Sequence, residues 1–365
     1  MIYRVLGLMS GSSLDGLDIA FVEFEEKAGR WTFNLLESEC VLYSSAIEQR
    51  LANAILLSAH AFMQLHAGYG HFLGKTVSQF IHDKGLGYKV SLISSHGHTV
   101  FHEPGKFTTQ IGDGAAIAAV TGLPVVCDLR SMDVALGGQG APIVPIGEKL
   151  LFNDYSLFLN IGGIANISHH QHLMHRAFDV CPANKVLNML SMQVEKKFDK
   201  DGELASSGTV NESLLKELNQ LSYYDSPFPK SLANEFGIEV VYPLIQSYRL
   251  NTSDSLATYV EHIAIQVKNA IINLKLNNQE DESALKILVT GGGAFNSYLI
   301  SRMKSHLSEQ GITIDVPSKG IVEYKEAIIM ALLGVLRWRE EDTVLSSVTG
   351  STRNSIGGAL WMGSH

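Results

Sequence analysis

A chain of 365 residues exceeds what one core comfortably serves, so two domains are expected. Its 45% hydrophobic and 18% charged content is that of a packed globular protein, which excludes a disordered chain and a membrane-embedded one. A net charge of −9, with no basic stripe interleaved with aromatics, excludes a nucleic-acid binder and confines any anion site to a local cleft. The sequence enters a strand within three residues and shows no apolar leader, and no run reaches membrane-spanning length. Cys40, Cys127 and Cys181 are odd in number and widely spaced, so neither a disulfide framework nor a zinc knuckle is expected. The expectation is a cytoplasmic enzyme.

In chain order, apolar strands at 3–9 and 17–24 flank the turn from Gly7 through Gly11 to Gly16. Residues 47–84 read as helical, with Gly68, Gly70 and Gly74 as weak points. A strand at 90–95 leads into Ser94-Ser95-His96-Gly97-His98-Thr99, expected at the strand end, where α/β proteins present side chains to ligands. His96, His98 and His102 lack a nearby carboxylate or cysteine that would complete familiar zinc spacing, so hydrogen bonding to a polyol suits them better. Asp113 is placed to cap a short helix at 115–121 that Gly122 ends. A strand from 124 to 127 precedes Asp128-Leu129-Arg130-Ser131-Met132-Asp133. Arg130 offers either a planar fork to an anion or a structural pair with Asp128 or Asp133. Gly137-Gly138-Gln139-Gly140 reads as a hinge between two lobes.

The strand–glycine turn–strand plan recurs at 157–168 around Gly162 and Gly163, as if two related halves each offered a hairpin. His169, His170, His172 and His175 then read as solvated residues of an exposed hairpin. Asp179 is flanked by apolar groups, which raise a carboxylate towards useful base strength; capping of the following helix is the competing reading. Residues 199–235 look like a loop-rich insertion framing a substrate. Residues 258–274 and 324–339 read as amphipathic helices, and 277–282 as a solvated connection.

A third glycine run, Gly291-Gly292-Gly293, follows a short buried-type strand and precedes a helix from Ser297. Glycine lets N–H groups approach polyphosphate and lets a base or ribose rest on bare backbone. No G-x-G-x-x-G with an acidic residue about 20 positions later occurs, and no Walker pattern, so dinucleotide and P-loop folds are set aside. Three glycine turns in this order point to a two-lobed phosphotransferase.

Together these motifs resemble the 1,6-anhydro-N-acetylmuramic acid kinase family of the actin and sugar-kinase superfamily. The resemblance runs from Gly7 to Gly358. It rests on the first glycine turn, Ser95-His96-Gly97-x-Thr99-Val100, the stretch 110–145, the 159–168 hairpin, Phe178-Asp179 and Asp199-Lys200-Asp201-Gly202. Pro229-Lys230-Ser231, the triple glycine, Glu326-Ala327 and Val348-Thr349-Gly350 extend it. The resemblance implies a two-lobed α/β actin/sugar-kinase-like ATPase fold with ATP and sugar in an interdomain cleft. Its lobes are expected at 1–133, completed by 351–365, and at 134–350.

The implied reaction is ATP-dependent: water opens the anhydro ring at C1 while O6 takes the γ-phosphoryl group, giving N-acetylmuramic acid 6-phosphate and ADP in cell-wall recycling. By resemblance, Asp179 is the catalytic base. Gly11, Ser12, Ser13, Leu14, Asp15, Gly16, Leu17 and Asp18, with Gly162, Gly163, Gly291, Gly292 and Gly293, bind ATP. His98, Thr99, Asp128, Arg130 and Glu326 lie on the sugar side. Magnesium is implied as a cofactor, with Asp15 or Asp18 as open choices of ligand, and a homodimer as the assembly. The chain departs from the pattern at His98, where glutamine is expected, and at Val180-Cys181, where threonine-glycine is usual. Met9 and Asn160 stand where superfamily relatives place aspartates. A kinase of another amino sugar and a silent nucleotide-binding regulator are the alternatives.

Overall fold

The computed structural model describes residues 1–11, 14–171, 174–226, 230–233, 235–274, 285–308 and 310–363. Ser12, Ser13, His172, residues 227–229 and the expected connection at 277–282 lie outside them. Two units emerge, Met1–Asn153 with Tyr324–His365, and Asp154–Glu323.

The first unit is built on β1 (Ile2–Ser10), β2 (Gly16–Lys27), β3 (Arg30–Leu42), β4 (Leu92–Glu103), β5 (Phe107–Ile111) and β6 (Val125–Cys127). The sheet order is β6-β4-β1-β2-β3, with β5 paired to β4 and a last strand, Ala359–Trp361, antiparallel to β6. β1 and β2 form an antiparallel hairpin, and β4 runs parallel to β1. Side chains alternate across a strand, and here both faces are buried. Val5, Ala20, Val22 and Phe24 join a core with residues 327–336 of the helix Lys319–Trp338. Leu6, Leu8, Ile19 and Phe21 join the opposite core with Leu73 and Val77 of the helix Ala59–Asp83 and Ile117 of the helix Gly114–Thr121.

Gly7 makes the first of these contacts possible. A Cβ built there would lie 1.9 Å from the Ala327 carbonyl oxygen and 2.8 Å from the Ala331 nitrogen. Backbone therefore meets backbone where strand and helix cross.

The second unit repeats the plan with β7 (Leu157–Ile161), β8 (Ile164–Gln171), β9 (Met174–Pro182), β10 (Lys286–Thr290) and β11 (Thr313–Asp315), ordered β11-β10-β7-β8-β9. Again a hairpin, β7–β8, lies beside a parallel strand, β10. Its core gathers Leu157, Leu159 and Val289 with Tyr259, Ile263 and Val267 of the helix Thr252–Asn273.

Several expectations are corrected. The helical stretch at 47–84 breaks at Asn53–Ser58, between helices Ser45–Ala52 and Ala59–Asp83, not at its glycines. Gly70 and Gly74 are contact points: a Cβ on either would lie within 2.8 Å of Asp113 or Val120. The 199–235 stretch is loop-rich as expected, but it also carries packed helices. It holds helices Glu203–Ser207 and Glu212–Asn219, whose Leu214 and Leu218 are wholly buried. Residues 327–336 are buried on all sides, so that helix is not amphipathic there. The two compact units divide after Asn153 and Glu323, and Ile143, Ile146 and residues 327–336 fill one core with β1 and β2 in the first. Among the described residues no helix is long and apolar enough to cross a membrane.

Gly7→Ala is expected to destabilise the protein by about 3 kcal/mol or more, since neither backbone can yield to the methyl group. Urea unfolding should show the loss, and a midpoint unchanged from wild type would contradict the close approach.

Candidate active site

Asp179 lies within β9, and a bulge sets its direction. Ala165 pairs with Cys181 and Asn166 with Asp179, which leaves Val180 as the extra residue. Such bulges re-aim a side chain out of the regular pleat. Asp179 Oδ2 accepts from the Leu232 N–H at 2.8 Å. Its backbone is held as well: its N–H donates to the Lys230 carbonyl at 3.3 Å, and its carbonyl accepts from the Tyr223 hydroxyl at 2.5 Å. Oδ1 has no hydrogen bond to a described residue. Burial raises the carboxyl above its ordinary pKa, and the Leu232 N–H opposes that only in part. The competing helix-cap reading is not what forms, since the helix Asn184–Ser191 starts after Ala183 with no side-chain cap. Cys181, in place of glycine, is fully buried and stays in the β8–β9 ladder, so the departure does not break the strand.

The glycine turns differ in what their glycines are for. The carbonyls of Gly162 and Gly163 accept from the Asn184 and Ala183 N–H groups, at 3.0 and 2.7 Å, and so finish a helix start. Their own N–H groups donate to no described residue. A Cβ at Gly163 would touch only Lys185, at 3.9 Å, so that side of the turn is open. Gly291 and Gly293 are instead required by packing. Gly291 has a φ of +81°, and a Cβ on Gly293 would lie 2.2 Å from Ile161 Cγ2. Gly292 between them is exposed, and a Cβ there would meet only Asn184 Nδ2 at 3.5 Å. Gly292 and Gly293 floor a cavity of about 640 Å³ walled by Phe198, Lys200, Asn296 and Glu323. That volume lies within the range of small-molecule sites.

In the first turn, Gly11, Leu14 and Asp15 leave the ladder between β1 and β2, and Leu14 has a φ of +59°. Gly16 is a packing glycine, because a Cβ would lie 2.7 Å from the Val41 carbonyl oxygen. Leu17 is buried, whereas Asp18, opposite Met9, is half-buried. Asn160 closes the corresponding place on β7, opposite Asn166.

On the first unit, β4 carries His98 and Thr99 inside a long strand and not at its end, because the ladder resumes with β5 beyond Gly97 (φ +73°). His98 is 6% exposed, whereas Thr99 is exposed and accepts from Gln110 Nε2 at 3.3 Å. Arg130 pairs with neither Asp128 nor Asp133. Its Nε donates to His96 Nε2 at 2.9 Å and its Nη1 to the Gly140 carbonyl at 2.7 Å. His96 Nδ1 lies 2.9 Å from the Gly97 carbonyl, which can only accept. The ring is thus neutral with its proton on Nδ1, and burial and Arg130 push its pKa down to about 3. Burial also brings Arg130 down to about 10, against the pull of Glu326. Glu326 itself is exposed on its helix. Asp128, at a φ of +55°, accepts from the Ser131 hydroxyl and lines a cavity of about 320 Å³. Ser95 Oγ and Gln110 Oε1 in that wall have no hydrogen-bond partner among the described residues.

Two further readings change. The glycine stretch 137–140 is no hinge: Gly138 and Gly140 donate to Asp133, at 2.9 and 2.8 Å, and Gln139 donates to the Thr349 carbonyl at 2.9 Å, all within the first unit. His169 is not solvated but 5% exposed. Asp113 does cap its helix, accepting from the Ala115 N–H at 3.0 Å. Sequence reasoning missed His96 as the partner of Arg130, and Phe198, Asn296 and Glu323 as cavity walls. The sequence signals for the cavity were the triple glycine, through Gly292 and Gly293, and Asp199-Lys200-Asp201, which line it together.

Two α/β units, each with a glycine hairpin beside a parallel strand, and open glycine backbone flooring a ligand-sized cavity, make a frame that suits a small-molecule kinase. The chain belongs to the anhydro-N-acetylmuramic acid kinase family, whose model matches residues 3–363. The anhydro-N-acetylmuramic acid kinase of Vibrio parahaemolyticus is 33% identical over 370 residues, covering 98% of this chain and 97% of its own. That of Coxiella burnetii is 32% identical over 377 residues, covering 99% and 98%. That of Photobacterium profundum is 31% identical over 376 residues, covering 99% of each.

Gly292→Ala should fold as wild type yet weaken ATP binding by about tenfold, the methyl group entering the cavity floor and not the core. Calorimetric titration of a non-hydrolysable ATP analogue and a melting curve would separate the two effects; unchanged affinity would remove Gly292 from the proposed nucleotide site.

Proposed function

We infer that this chain, as an ATP-dependent kinase of anhydro-N-acetylmuramic acid, opens the 1,6-anhydro ring and phosphorylates O6 in cell-wall recycling. Water bonds to C1, the C1–O6 bond breaks, and O6 takes the γ-phosphoryl group from ATP, releasing ADP. The proton of the attacking water goes to Asp179. Capture of O6 by phosphorus offsets the charge that makes a bridge oxygen a poor leaving group. What carries this reading is Asp179: its carboxylate has one oxygen fixed by Leu232 and the other free of described partners, in surroundings that raise its basicity.

The remaining roles follow from position and chemistry. The open backbone of Gly162, Gly163 and Gly292, and the turn from Gly11 to Asp18, suit the phosphates and nucleoside of ATP. Gly16, Gly291 and Gly293 shape those turns. Arg130, oriented by His96 and Gly140, with His98, Thr99, Asp128 and Glu326, suits sugar hydroxyl and amide groups. Positioning then contributes most of the rate, as in phosphoryl transfer generally.

Among the described residues no group of three His, Cys, Asp or Glu side chains converges as a metal site. Magnesium needs less, since one or two carboxylates beside the substrate phosphates and water satisfy it. Asp15 and Asp18 fit that demand, and the ion would neutralise charge on the β- and γ-phosphate oxygens. Use of ATP fits a cytoplasmic setting, and the family resemblance implies a homodimer, which light scattering would test.

The experiment that tests the reaction is mass spectrometry of products formed from the anhydro-sugar and ATP-magnesium in oxygen-18 water, with brief workup. One heavy oxygen at C1 of a 6-phosphate is expected; an unlabelled phosphate of another amino sugar would replace the substrate, and ATP binding with no turnover would favour a regulator. Asp179→Asn should lower kcat by about 10²–10⁴-fold with ATP affinity kept. The base acts only when ionised, so kcat/KM should fall as pH drops through the raised pKa. That acid limb should lie above the ordinary carboxylate range of about 4, and a limb at or below that value would remove Asp179 as the base.

A further inference from the structure

Ser10 ends β1 beside the phosphate turn, and His98 on β4 is its register partner. Both are buried, at 3% and 6% exposure. Ser10 Oγ lies 3.0 Å from His98 Nδ1 and accepts from the Tyr43 hydroxyl at 2.7 Å. The Tyr43 oxygen lies 2.7 Å from the Tyr69 hydroxyl, which is also buried.

Proton counting gives this chain a direction. A hydroxyl has one proton, and a buried one beside an acceptor is most stable when it delivers it. Tyr43 delivers its proton to Ser10, Tyr69 lies against both hydroxyls and donates to Tyr43, and the acceptor left at good hydrogen-bond distance for the Ser10 proton is His98 Nδ1. Burial holds His98 below its ordinary pKa, so the ring is neutral near pH 7. A neutral imidazole whose Nδ1 accepts carries its proton on Nε2. His98 Nε2 has no hydrogen bond to a described residue. His96, two residues earlier, has the opposite tautomer.

We propose that the Tyr69–Tyr43–Ser10 chain locks His98 as the Nε2–H tautomer, which makes His98 a hydrogen-bond donor to an oxygen of the sugar and Ser10 a positioning residue for substrate. The donor role towards a sugar rests on the kinase reading above; the tautomer does not. Ser10 adjoins Gly11, so the same hydroxyl ties the phosphate turn to the sugar side of the first unit.

The test is nitrogen-15 NMR of the full chain with labelled histidine, the His98 signals being assigned by their loss in His98→Asn. The wild type should show the Nε2–H coupling pattern without any ligand. An Nδ1–H pattern, or a rapidly exchanging mixture, would overturn the proposal whatever the variants do. Ser10→Ala should lose the single tautomer and Ser10→Thr, which keeps the hydroxyl, should restore it; a tautomer unmoved by Ser10→Ala also overturns it. In kinetics Ser10→Ala should raise KM for the anhydro-sugar by about five- to tenfold, the scale of one hydrogen bond, with a smaller change in kcat. An unchanged KM with the tautomer as stated would overturn the donor role. Failure of the kinase reading appears separately, in the labelled-water experiment.

Discussion

Absence of a side chain is the constraint on which both units depend. Where Gly7 meets residues 327 and 331, and where Gly291 and Gly293 meet Ile161, backbone approaches its neighbours at distances no Cβ allows. These glycines bring strand, turn and helix close enough that the open glycines, Gly162, Gly163 and Gly292, face outward. Glycine serves two purposes a few residues apart: some positions permit packing and others leave room for a ligand. Only the packing around each one separates the two, because a run of glycines reads the same in either case.

Asp179 illustrates a second constraint, that of a charged group supported by neutral ones. Its carboxylate accepts one backbone N–H, and the peptide on either side is held by Lys230 and Tyr223. Lys230 donates to the carbonyls of Tyr223 and Tyr224, with its ammonium 4.5 Å from the Tyr223 ring centroid. The cation therefore stabilises the segment that holds Asp179 without forming an ion pair with it. A direct Lys–Asp pair would lower the carboxyl's pKa and weaken it as a base. Arg130 follows the same pattern on the first unit, oriented by a neutral imidazole and a carbonyl, so its charge is not cancelled by a structural partner.

The hairpins, the strands that lie parallel beside them and the short capped helix at Asp113 were legible as elements, because apolar runs punctuated by glycine have few other interpretations, though their pairing was not. The apolar surroundings of Asp179 were legible too, but its partners Leu232 and Tyr223 were not. What misled was glycine inside a helix: Gly70 and Gly74 looked like weak points, yet they are where a second helix lies closest. The stretch at 199–235 is loop-rich as it reads, but the sequence did not show that Leu214 and Leu218, on one helical face, reach the core. Arg130 was sought among nearby acids, when its partner lies 34 residues earlier on another strand. Long-range pairs of that kind leave no local spacing to read.

The bulge at Val180 makes the direction of Asp179 depend on how many residues the strand holds. Val180 is the residue in excess of its partner strand, and it is buried in the core. Removing Val180 would leave Ala165 opposite Cys181 and Asn166 opposite Asp179 in an even ladder, and so take away the local bend that directs the Asp179 carboxylate. A change of identity at Cys181 is absorbed by the core, whereas a change of length is not. Over these four positions the chain is constrained by arithmetic more than by chemistry, and relatives should vary there by substitution and not by insertion or deletion.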